Sequence, residues 1–330
     1  MDKIKVGIIG LGRVGALRYD LLSKDDRFDV VAVCDTKDAL LAKYSHDVRV
    51  YSNYKYLLRN DVDAVFVCVP HTLTPKISIE ALKRGLHVFL EKPPGVFLAD
   101  AKAIKSYINN NQKVQVGFNH RYMTHVCAAK AYASPKDILW MKGTYGRTTM
   151  SGEQEQWREI KALGGRGILI SQGLHMIDLM RMFAEDEFPN VYAIVKHYQG
   201  KWNEDNVMIL MESAHGISAM MHSSCVIGKN TFQLEIKCKR RTVKINGLGM
   251  SSTKSFGYPD EITILDEEDE CFIGNPPACT TYFGDNNSWK WEIDNFARAI
   301  LNNDPIQNNI DSAIKTMEIV EEVYKYDNSN

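Results

Sequence analysis

The chain has 330 residues, 45% of them hydrophobic and 25% charged, and its 40 Lys and Arg nearly balance its 41 Asp and Glu. A net charge of −1 argues against a protein that coats nucleic acid or an anionic membrane surface. The apolar fraction excludes a disordered polymer, and no apolar run approaches the roughly 20 residues of a membrane-spanning helix. At roughly 100–200 residues per domain, this length favours two domains.

The N-terminus and the cysteines predict the compartment. Two glycines interrupt the first apolar stretch and no small-residue cleavage site follows, so we expect a first strand rather than a signal peptide. The seven cysteines form no C-x-x-C pair and the nine histidines show no i, i+4 pairing, so we expect no metal site. With no regular disulfide pattern, the predicted location is the cytoplasm.

Strands and helices alternate in the first 120 residues. Short runs rich in Val, Ile and Phe predict buried parallel strands, and amphipathic stretches between them predict helices. The predicted strands are 5–9, 30–34, 64–69, 87–90 and 114–118, and the predicted helices are 13–24, 74–84 and 99–109. This alternation predicts an α/β domain with a doubly wound parallel sheet of the Rossmann type.

Longer β-like segments dominate after Tyr122, and their tight connections are typical of antiparallel hairpins. These segments are 191–198, 206–213, 216–224, 231–238 and 241–247, and the predicted helices are 123–132, 173–183, 288–302 and 310–326. We therefore predict a second, α+β domain on a large open, mainly antiparallel sheet. The predicted domains are 1–120 and 121–330, and the C-terminal helix could pack back on the first.

A glycine-rich motif directly follows the first predicted strand and opens a helix. Its residues are Gly10, Leu11, Gly12, Arg13, Val14 and Gly15. In this setting the first glycine permits a tight turn, the second lets the backbone approach a pyrophosphate, and the third allows close helix–strand packing. The helix N-terminus offers N–H donors to the phosphates. The motif predicts a dinucleotide site, with a purely structural turn as the alternative.

Asp35 ends the second predicted strand, 20 residues after Gly15. A carboxylate there can accept hydrogen bonds from both ribose hydroxyls, and it repels the 2′-phosphate of NADP. NAD is therefore the predicted cofactor, and nearby Lys37 keeps NADP open. Thr36 is a further candidate for cofactor binding.

The sequence Glu91-Lys92-Pro93-Pro94 follows the fourth predicted strand. Ligands of open parallel sheets collect at the carboxyl ends of strands, so Lys92 is expected at the mouth of the cleft. The prolines stiffen the turn, and the Lys92–Pro93 or the Pro93–Pro94 bond could be cis. A solvated lysine is the alternative.

Together these motifs resemble those of the Gfo/Idh/MocA family, named after glucose–fructose oxidoreductase and inositol dehydrogenase. The resemblance continues in Gly117–Tyr122, Gly164–Gly167 and Gln172–Asp178. It implies a nicotinamide cofactor, sugar, inositol or nucleotide-sugar substrates, and a homodimer or homotetramer formed through the C-terminal sheet. A narrower likeness, Glu204–Ser224 with Asn246–Gly249, points to members linked with bacterial surface-polysaccharide sugars.

The resemblance also implies roles for individual residues. Lys92 and His175 are the implied catalytic residues. Cofactor binding is implied for the glycine motif and for Asp35, Thr36, Pro70, His71, Glu91, Lys92, Asn119, Trp157 and Arg158. Substrate binding is implied for Lys92, Arg121, Tyr122, Tyr145, Ser171, Gln172 and His175. Four of these residues are expected at the rim of the ligand site: Arg121, Tyr122, Trp157 and Arg158. The alternative to ligand binding is that they form a surface ion pair and a Trp packed in the core.

Two segments depart from the family pattern, at three positions. His71 stands where many members have an Asn near the nicotinamide, and Thr74 stands where they have a His. Ser171 replaces the Asp or Asn four residues before His175, where a carboxylate on the same helix face could orient the imidazole and stabilise its charged form. Serine carries no charge, which makes the role of His175 as base less secure.

The predicted activity is hydride transfer between a nicotinamide and a secondary alcohol or ketone of a sugar, inositol or nucleotide-sugar. In this reaction Lys92 would stabilise alkoxide charge, and His175 would take or relay the proton. The alternatives are a reductase acting on a keto-sugar or an imine, and a non-catalytic NAD-binding sensor. The sequence identifies neither the substrate nor the direction.

Overall fold

The computed structural model describes residues 3–109, 111–148, 157, 160–199, 201–249, 259–267, 276–284 and 286–327. The chain divides into two compact units. Unit 1 comprises residues 1–118, 157–165 and 290–314, and unit 2 comprises residues 119–156, 166–289 and 315–330. Unit 1 thus includes a segment, 290–314, that follows the second sheet in sequence.

The described helices and strands are numbered here in chain order. The strands are β1 (Ile4–Ile9), β2 (Phe28–Cys34), β3 (Arg49–Tyr51), β4 (Ala64–Val67), β5 (His87–Leu90), β6 (Val114–Val116), β7 (Ile138–Thr148), β8 (Asn190–Lys196), β9 (Asn206–Glu212), β10 (Ser218–Ser224), β11 (Val226–Cys238), β12 (Arg241–Asn246), β13 (Asp260–Asp266) and β14 (Ala278–Phe283). The helices are α1 (Arg13–Ser23), α2 (Asp38–Leu41), α3 (Tyr54–Leu57), α4 (Thr74–Leu82), α5 (Leu98–Ser106), α6 (Thr124–Ala129), α7 (Lys161–Gly164), α8 (Leu174–Ala184), α9 (Ser288–Asn302) and α10 (Ile310–Tyr324). Among them, none combines the length and the apolar character that crossing a bilayer requires.

Unit 1 contains a parallel sheet of six strands in the order β3-β2-β1-β4-β5-β6, which is the Rossmann order. The predicted α/β fold is confirmed. Strand β4 is buried at all four positions, as expected of a parallel strand with both faces covered. Phe66 of β4 stacks on Phe89 of β5 with ring centroids 4.7 Å apart, and Phe296 of α9 meets Phe66 edge-on at 5.6 Å. The core of unit 1 therefore includes a helix that lies far along the chain.

A buried cluster of three charged side chains lies inside unit 1. Arg18 of α1 is fully buried; its Nε donates to Glu91 Oε1 at 2.8 Å and its Nη2 donates to Glu292 Oε2 at 2.6 Å. The guanidinium also lies 4.3 Å from the centroid of the Phe89 ring. Burial raises the pKa of Glu292 to about 8, opposed by the Arg18 charge and reinforced by the Glu91 charge. The raised pKa favours the protonated form of Glu292, in which one cation faces one anion.

Unit 2 is built on a sheet of eight strands in the order β14-β13-β12-β11-β7-β10-β9-β8. Every neighbouring pair is antiparallel except β7 and β10, which are parallel. The predicted mainly antiparallel sheet is confirmed. Helix α8 packs directly on this sheet, because a Cβ on Gly143 of β7 would lie 2.7 Å from Met176 Cγ.

The outer strands of this sheet carry an apolar patch that is exposed in the single chain. On β8, β9 and β10 buried and exposed side chains alternate, so each strand has one covered face. The register sets Leu210 between Tyr192 and Met220, and Ile194 beside Met208. These five side chains, the β8–β10 patch, are each 46–63% exposed.

The raised pKa of Glu292 predicts that the stability of the folded chain depends on pH. Its pKa of about 8 in the folded chain lies above the ordinary value of 4.5. Between these two pH values the folded chain holds a proton that the unfolded chain has released. This contribution to stability is full below pH 4.5 and is lost as the pH rises towards 8, by at most about 1.4 kcal/mol per pH unit. Glu292→Gln mimics the protonated form, so we expect its thermal midpoint to rise relative to the wild type as the pH increases.

The measurement is a set of thermal denaturation midpoints for both proteins across this pH range. Glu322→Gln, at an exposed ion pair of α10 with Lys325, is the control, and its difference from the wild type should stay constant. A constant difference for Glu292→Gln as well would show that Glu292 is ionised in the folded chain.

Candidate active site

The glycine-rich loop connects β1 to α1. Gly10 has a φ of +94°, and a Cβ there would lie 2.2 Å from the carbonyl oxygen of Cys68. A Cβ on Gly15 would lie 1.8 Å from the Gly10 oxygen, whereas a Cβ on Gly12 would meet nothing within 4 Å. Gly12 is also the N-cap of α1 and provides no side-chain hydrogen bond to the helix. Open space beside the first N–H groups of a helix fits a bound pyrophosphate.

Asp35 follows β2, and its carboxylate binds the glycine-rich loop. Oδ2 accepts a hydrogen bond from the Leu11 N–H at 2.7 Å, and Oδ1 accepts one from the Lys37 N–H at 3.0 Å. Each carboxylate oxygen has a second lone pair for a ribose hydroxyl. Sequence reasoning assigned this residue to the cofactor alone and missed its hydrogen bond to the loop.

The turn after β5 carries Glu91 and Lys92, and the Lys92–Pro93 peptide is cis. Lys92 is half-buried and both prolines are buried. The Glu91 carboxylate accepts from Arg18, and a Cβ on neighbouring Gly117 would lie 2.7 Å from its Oε2. Glu91 was predicted to bind cofactor. The structure gives it the function of fixing the turn that carries Lys92.

Two of the predicted cofactor-binding residues meet within unit 1. His71 Nδ1 lies 3.1 Å from the Gly164 carbonyl oxygen, and the His71 and Trp157 rings are perpendicular with centroids 4.9 Å apart. Thr72 Oγ1 donates to the Ala162 carbonyl oxygen at 2.8 Å. The segment after β4 therefore supports the segment that includes Trp157. Arg158 lies outside the described residues.

A short 3-10 turn, Asn119–Tyr122, begins unit 2, and its four side chains are buried. Arg121 donates from Nε and Nη2 to the two oxygens of Asp178 on α8, both at 2.6 Å. Asp178 also accepts from Thr316 Oγ1 at 3.3 Å. This bidentate pair joins the turn to α8 and gives Arg121 a structural function. Substrate binding by Arg121 and Tyr122 stays a prediction.

His175 lies in the first turn of α8 and is 3% exposed. Its ring stacks on that of His120, with centroids 3.7 Å apart and planes 17° from parallel. Tyr145 Oη of β7 lies 3.3 Å from His120 Nε2, and the Tyr145 and His175 ring centroids are 6.5 Å apart. The predicted residues Tyr145 and His175 are thus brought together around His120. His120 belongs to the Gly117–Tyr122 motif, but the sequence predicted no function for it.

A π-helical turn, Leu169–Gly173, precedes α8. Ser171 Oγ donates to the Ile168 carbonyl oxygen at 3.4 Å, and Gln172 is half-buried. The shared helix face expected for Ser171 and His175 assumed a regular α-helix, and the wider π turn changes that relation. Such turns occur frequently at functional sites.

Glu204 holds the backbone just before the π turn. Its Oε2 accepts from the Gly167 N–H at 2.8 Å, and its Oε1 accepts from the Leu169 N–H at 3.0 Å and from Tyr324 Oη at 2.8 Å. Burial raises the pKa of the Glu204 carboxyl above its ordinary value. These hydrogen bonds give Glu204 a structural function, which does not depend on the resemblance of this segment to members linked with surface-polysaccharide sugars.

No group of three or more His, Cys, Asp or Glu residues that could hold a metal ion occurs in the described part of the chain.

Known proteins match the chain in both halves. Residues 4–120 match the oxidoreductase family with an NAD-binding Rossmann fold, and residues 137–244 match the GFO/IDH/MocA C-terminal domain. Together the two matches span more than half of the chain, and it belongs to the Gfo/Idh/MocA family of oxidoreductases.

Individual relatives cover the chain to different extents. An uncharacterized oxidoreductase, YrbE of Bacillus subtilis, is 28% identical over 58% of this chain and 57% of its own length. Myo-inositol 2-dehydrogenase of Thermotoga maritima is 26% identical over 67% of this chain and 68% of its own length. The aligned part of the chain thus spans about half to two thirds of these relatives. A levoglucosan dehydrogenase structure with NADH covers 98% of this chain and 97% of its own, with a TM-score of 0.84 and 18% identity, which shows the shared fold.

The contacts of Asp35 predict that two substitutions have different effects. Asp35→Ala removes the acceptor for both the loop and the ribose, and each charge-assisted hydrogen bond contributes roughly 1.5–3 kcal/mol, so NAD affinity should fall tenfold or more. Asp35→Asn keeps an oxygen for the Leu11 N–H, so the loss should be smaller. Both substitutions remove the charge and should narrow the preference for NAD over NADP.

Fluorescence titration with NADH and NADPH measures both quantities for the wild type and the two variants. A wild-type protein that binds NADPH more tightly would show that the assignment of Asp35 is wrong.

Proposed function

We propose that this protein is an NAD-dependent dehydrogenase acting on a secondary alcohol of a sugar, an inositol or a nucleotide-sugar. Family membership supports the reaction class. The observation that carries the proposal is the structure of the Lys92 turn: a lysine on a buried, proline-containing turn, fixed by Arg18 through Glu91, at the carboxyl end of a strand in a dinucleotide-binding sheet.

The cofactor assignment rests on the loop and on Asp35. The open space beside Gly12 and the N-terminus of α1 would hold the pyrophosphate, and Asp35 would hold the ribose. The Asp35 charge favours NAD over NADP, and a relative of the same fold is described in complex with NADH. A bound nicotinamide supplies the hydride acceptor or donor.

Lys92 supplies positive charge to the reacting oxygen. Oxidation of an alcohol builds negative charge on that oxygen, and a fixed cation stabilises the transition state more than the ground state. Because the Arg18 guanidinium binds the Glu91 carboxylate, the anion nearest in sequence already has a buried partner. The proposed partner of the Lys92 charge is therefore the substrate oxygen rather than Glu91.

His175 accepts the proton of the alcohol. An imidazole titrates near neutral pH without assistance, which suits a general base. Its ring is fixed by the stack on His120, and its helix is fixed by the Arg121–Asp178 pair one turn away. Tyr145, Ser171 and Gln172 are the proposed substrate-binding residues around it.

Two other functions make different predictions. A reductase of keto-sugars or imines uses the same residues in the opposite direction, and only turnover measurements with reduced and oxidised cofactor distinguish the two. A sensor would bind NAD without turnover, and the presence of both Lys92 and His175 argues against it. The proposed substrate class draws on the inositol and sugar dehydrogenases among the relatives, and a function in surface-polysaccharide synthesis would require activity on a nucleotide-sugar.

The test of the proposed function is Lys92→Met on any sugar or inositol that gives turnover with NAD. Losing one electrostatic contact of this kind costs about 10²–10³ in rate, so the variant should fold, bind NADH and lose most of its kcat with little change in KM. Lys83→Met, at the end of α4 that lies opposite the carboxyl ends of the strands, is the matched control and should keep full activity. A fully active Lys92→Met enzyme would refute the proposed function of Lys92.

We also propose that the chain forms a homodimer or homotetramer through the β8–β10 patch. A contiguous apolar surface on an open sheet usually marks an interface, and a second copy can cover it through the same residues. Leu210→Lys should shift the mass found by light scattering towards the monomer. Tyr282→Lys, at an exposed position on β14 at the opposite edge of the sheet, is the control and should not. A wild-type monomer at micromolar concentration would overturn this proposal.

A further inference from the structure

The stacked pair of histidines in unit 2 goes beyond the functions assigned above. We propose that His120 is a positioning residue for His175: its neutral ring holds the His175 imidazole in place and favours the protonated form of that imidazole. The expected effect on kcat rests on the proposed function, whereas the contact between the two rings does not.

The hydrogen bonds of His120 fit a neutral ring with one defined tautomer. Asn119 Oδ1 lies 3.0 Å from His120 Nδ1, and an amide oxygen only accepts hydrogen bonds, so Nδ1 carries the proton. Tyr145 Oη lies 3.3 Å from Nε2, and the hydroxyl can donate to that unprotonated nitrogen. Both ring nitrogens thus have hydrogen-bond partners in the neutral form, and protonation at Nε2 would require the Tyr145 hydroxyl to change from donor to acceptor.

A neutral ring at this distance affects the charge of its neighbour. The two rings are nearly parallel with centroids 3.7 Å apart, and both are buried from water. Two positive rings would repel each other strongly at such a separation, whereas the π face of a neutral ring attracts a cation. Relative to an apolar side chain at this position, a neutral His120 ring therefore stabilises an imidazolium at His175, against the cost of burying that charge.

Among the described residues on the packed elements, the other charged groups add little to this effect. Arg121 on the 3-10 turn and Asp178 on α8 form a bidentate pair, so their charges offset each other. His222 on β10 is hydrogen bonded to Asn206 at 2.8 Å, and Tyr145 on β7 points its hydroxyl to His120. The π turn carries no titratable side chain, since its residues are Leu, Ile, Ser, Gln and Gly.

These contacts explain how the chain functions with Ser171. Where the family has a carboxylate or an amide four residues before the histidine, this chain has a hydroxyl that donates to Ile168. The stacked ring of His120 contributes to the orientation of His175, and its π face supports the charged form without adding a negative charge.

The test follows His175 itself rather than activity. Protein labelled with ¹³C-histidine gives a titration midpoint for His175 by NMR, assigned by its loss in His175→Gln. In His120→Leu the midpoint should move to lower pH by about 0.5 to 1 unit, because the π face is removed. His120→Phe keeps a stacking ring and should remain close to the wild type. His120→Gln serves the same purpose as His120→Leu if the apolar side chain prevents folding.

The control is His215→Leu, which removes an exposed histidine of the same unit that pairs with Asp186. Its His175 midpoint should equal that of the wild type. On a substrate that gives turnover, the acidic limb of the kcat profile should move to lower pH in His120→Leu, with kcat reduced about tenfold and KM for NAD unchanged.

The possible results distinguish the contact between His120 and His175 from the proposed function. An unchanged or raised His175 midpoint in His120→Leu overturns the inference, whether or not the protein is an enzyme. A lowered midpoint with no turnover on any sugar or inositol supports the contact between the rings and overturns the proposed function instead.

Discussion

The buried guanidinium of Arg18 is the constraint on which unit 1 depends. It connects α1, which starts at the glycine-rich loop, to Glu91 on the turn of Lys92 and to Glu292 on α9. An arginine without partners in this place would be strongly destabilising, because breaking a buried ion pair leaves an uncompensated charge and costs about 3–5 kcal/mol. The glutamate before the lysine therefore has a physical reason: it fixes the cofactor loop and the lysine turn to the same cation. Burial raises the pKa of Glu292 and so favours the protonated form, in which the cluster has one negative charge.

Unit 2 repeats this solution with different residues. Arg121 and Asp178 form a buried bidentate pair, and His175 lies one helical turn before Asp178. In both units a residue proposed to do chemistry adjoins a carboxylate held by a buried arginine. Arginine suits this function because its planar fork binds a carboxylate in one orientation and stays charged at any physiological pH. Lys92 and His175 therefore each lie on a segment that a buried ion pair fixes in place.

The sequence predicted the regular parts of this fold and missed its side-chain pairings. Strand and helix patterns identified β1, β2, β4, β5 and β6, because apolar runs are local signals. Strand β3 is as short as β6 but has one valine where β6 has two, so it lacks an apolar run and was not predicted. The partners of Arg18 lie 73 and 274 residues away, and no local pattern encodes such pairs. For the same reason the spacing from the glycine-rich motif predicted that Asp35 binds a ribose, but only the fold shows that its carboxylate also accepts a hydrogen bond from the Leu11 N–H.

The departure at Ser171 shows how a local difference can be balanced from elsewhere in the fold. Considered alone, a serine in place of a carboxylate weakens the case for a charged histidine at 175. In three dimensions the π turn changes the geometry before α8, and His120 reaches the ring of His175 from a separate turn that Arg121 fixes to the same helix. Ser171 and His120 are 51 residues apart in the sequence, so their relation is visible only through the fold. Support by a neutral π face differs from support by a carboxylate in one respect, because it adds no negative charge next to the imidazole. In the proposed reaction, an imidazole supported in this way would accept the proton of the alcohol without a second anion close to the developing alkoxide.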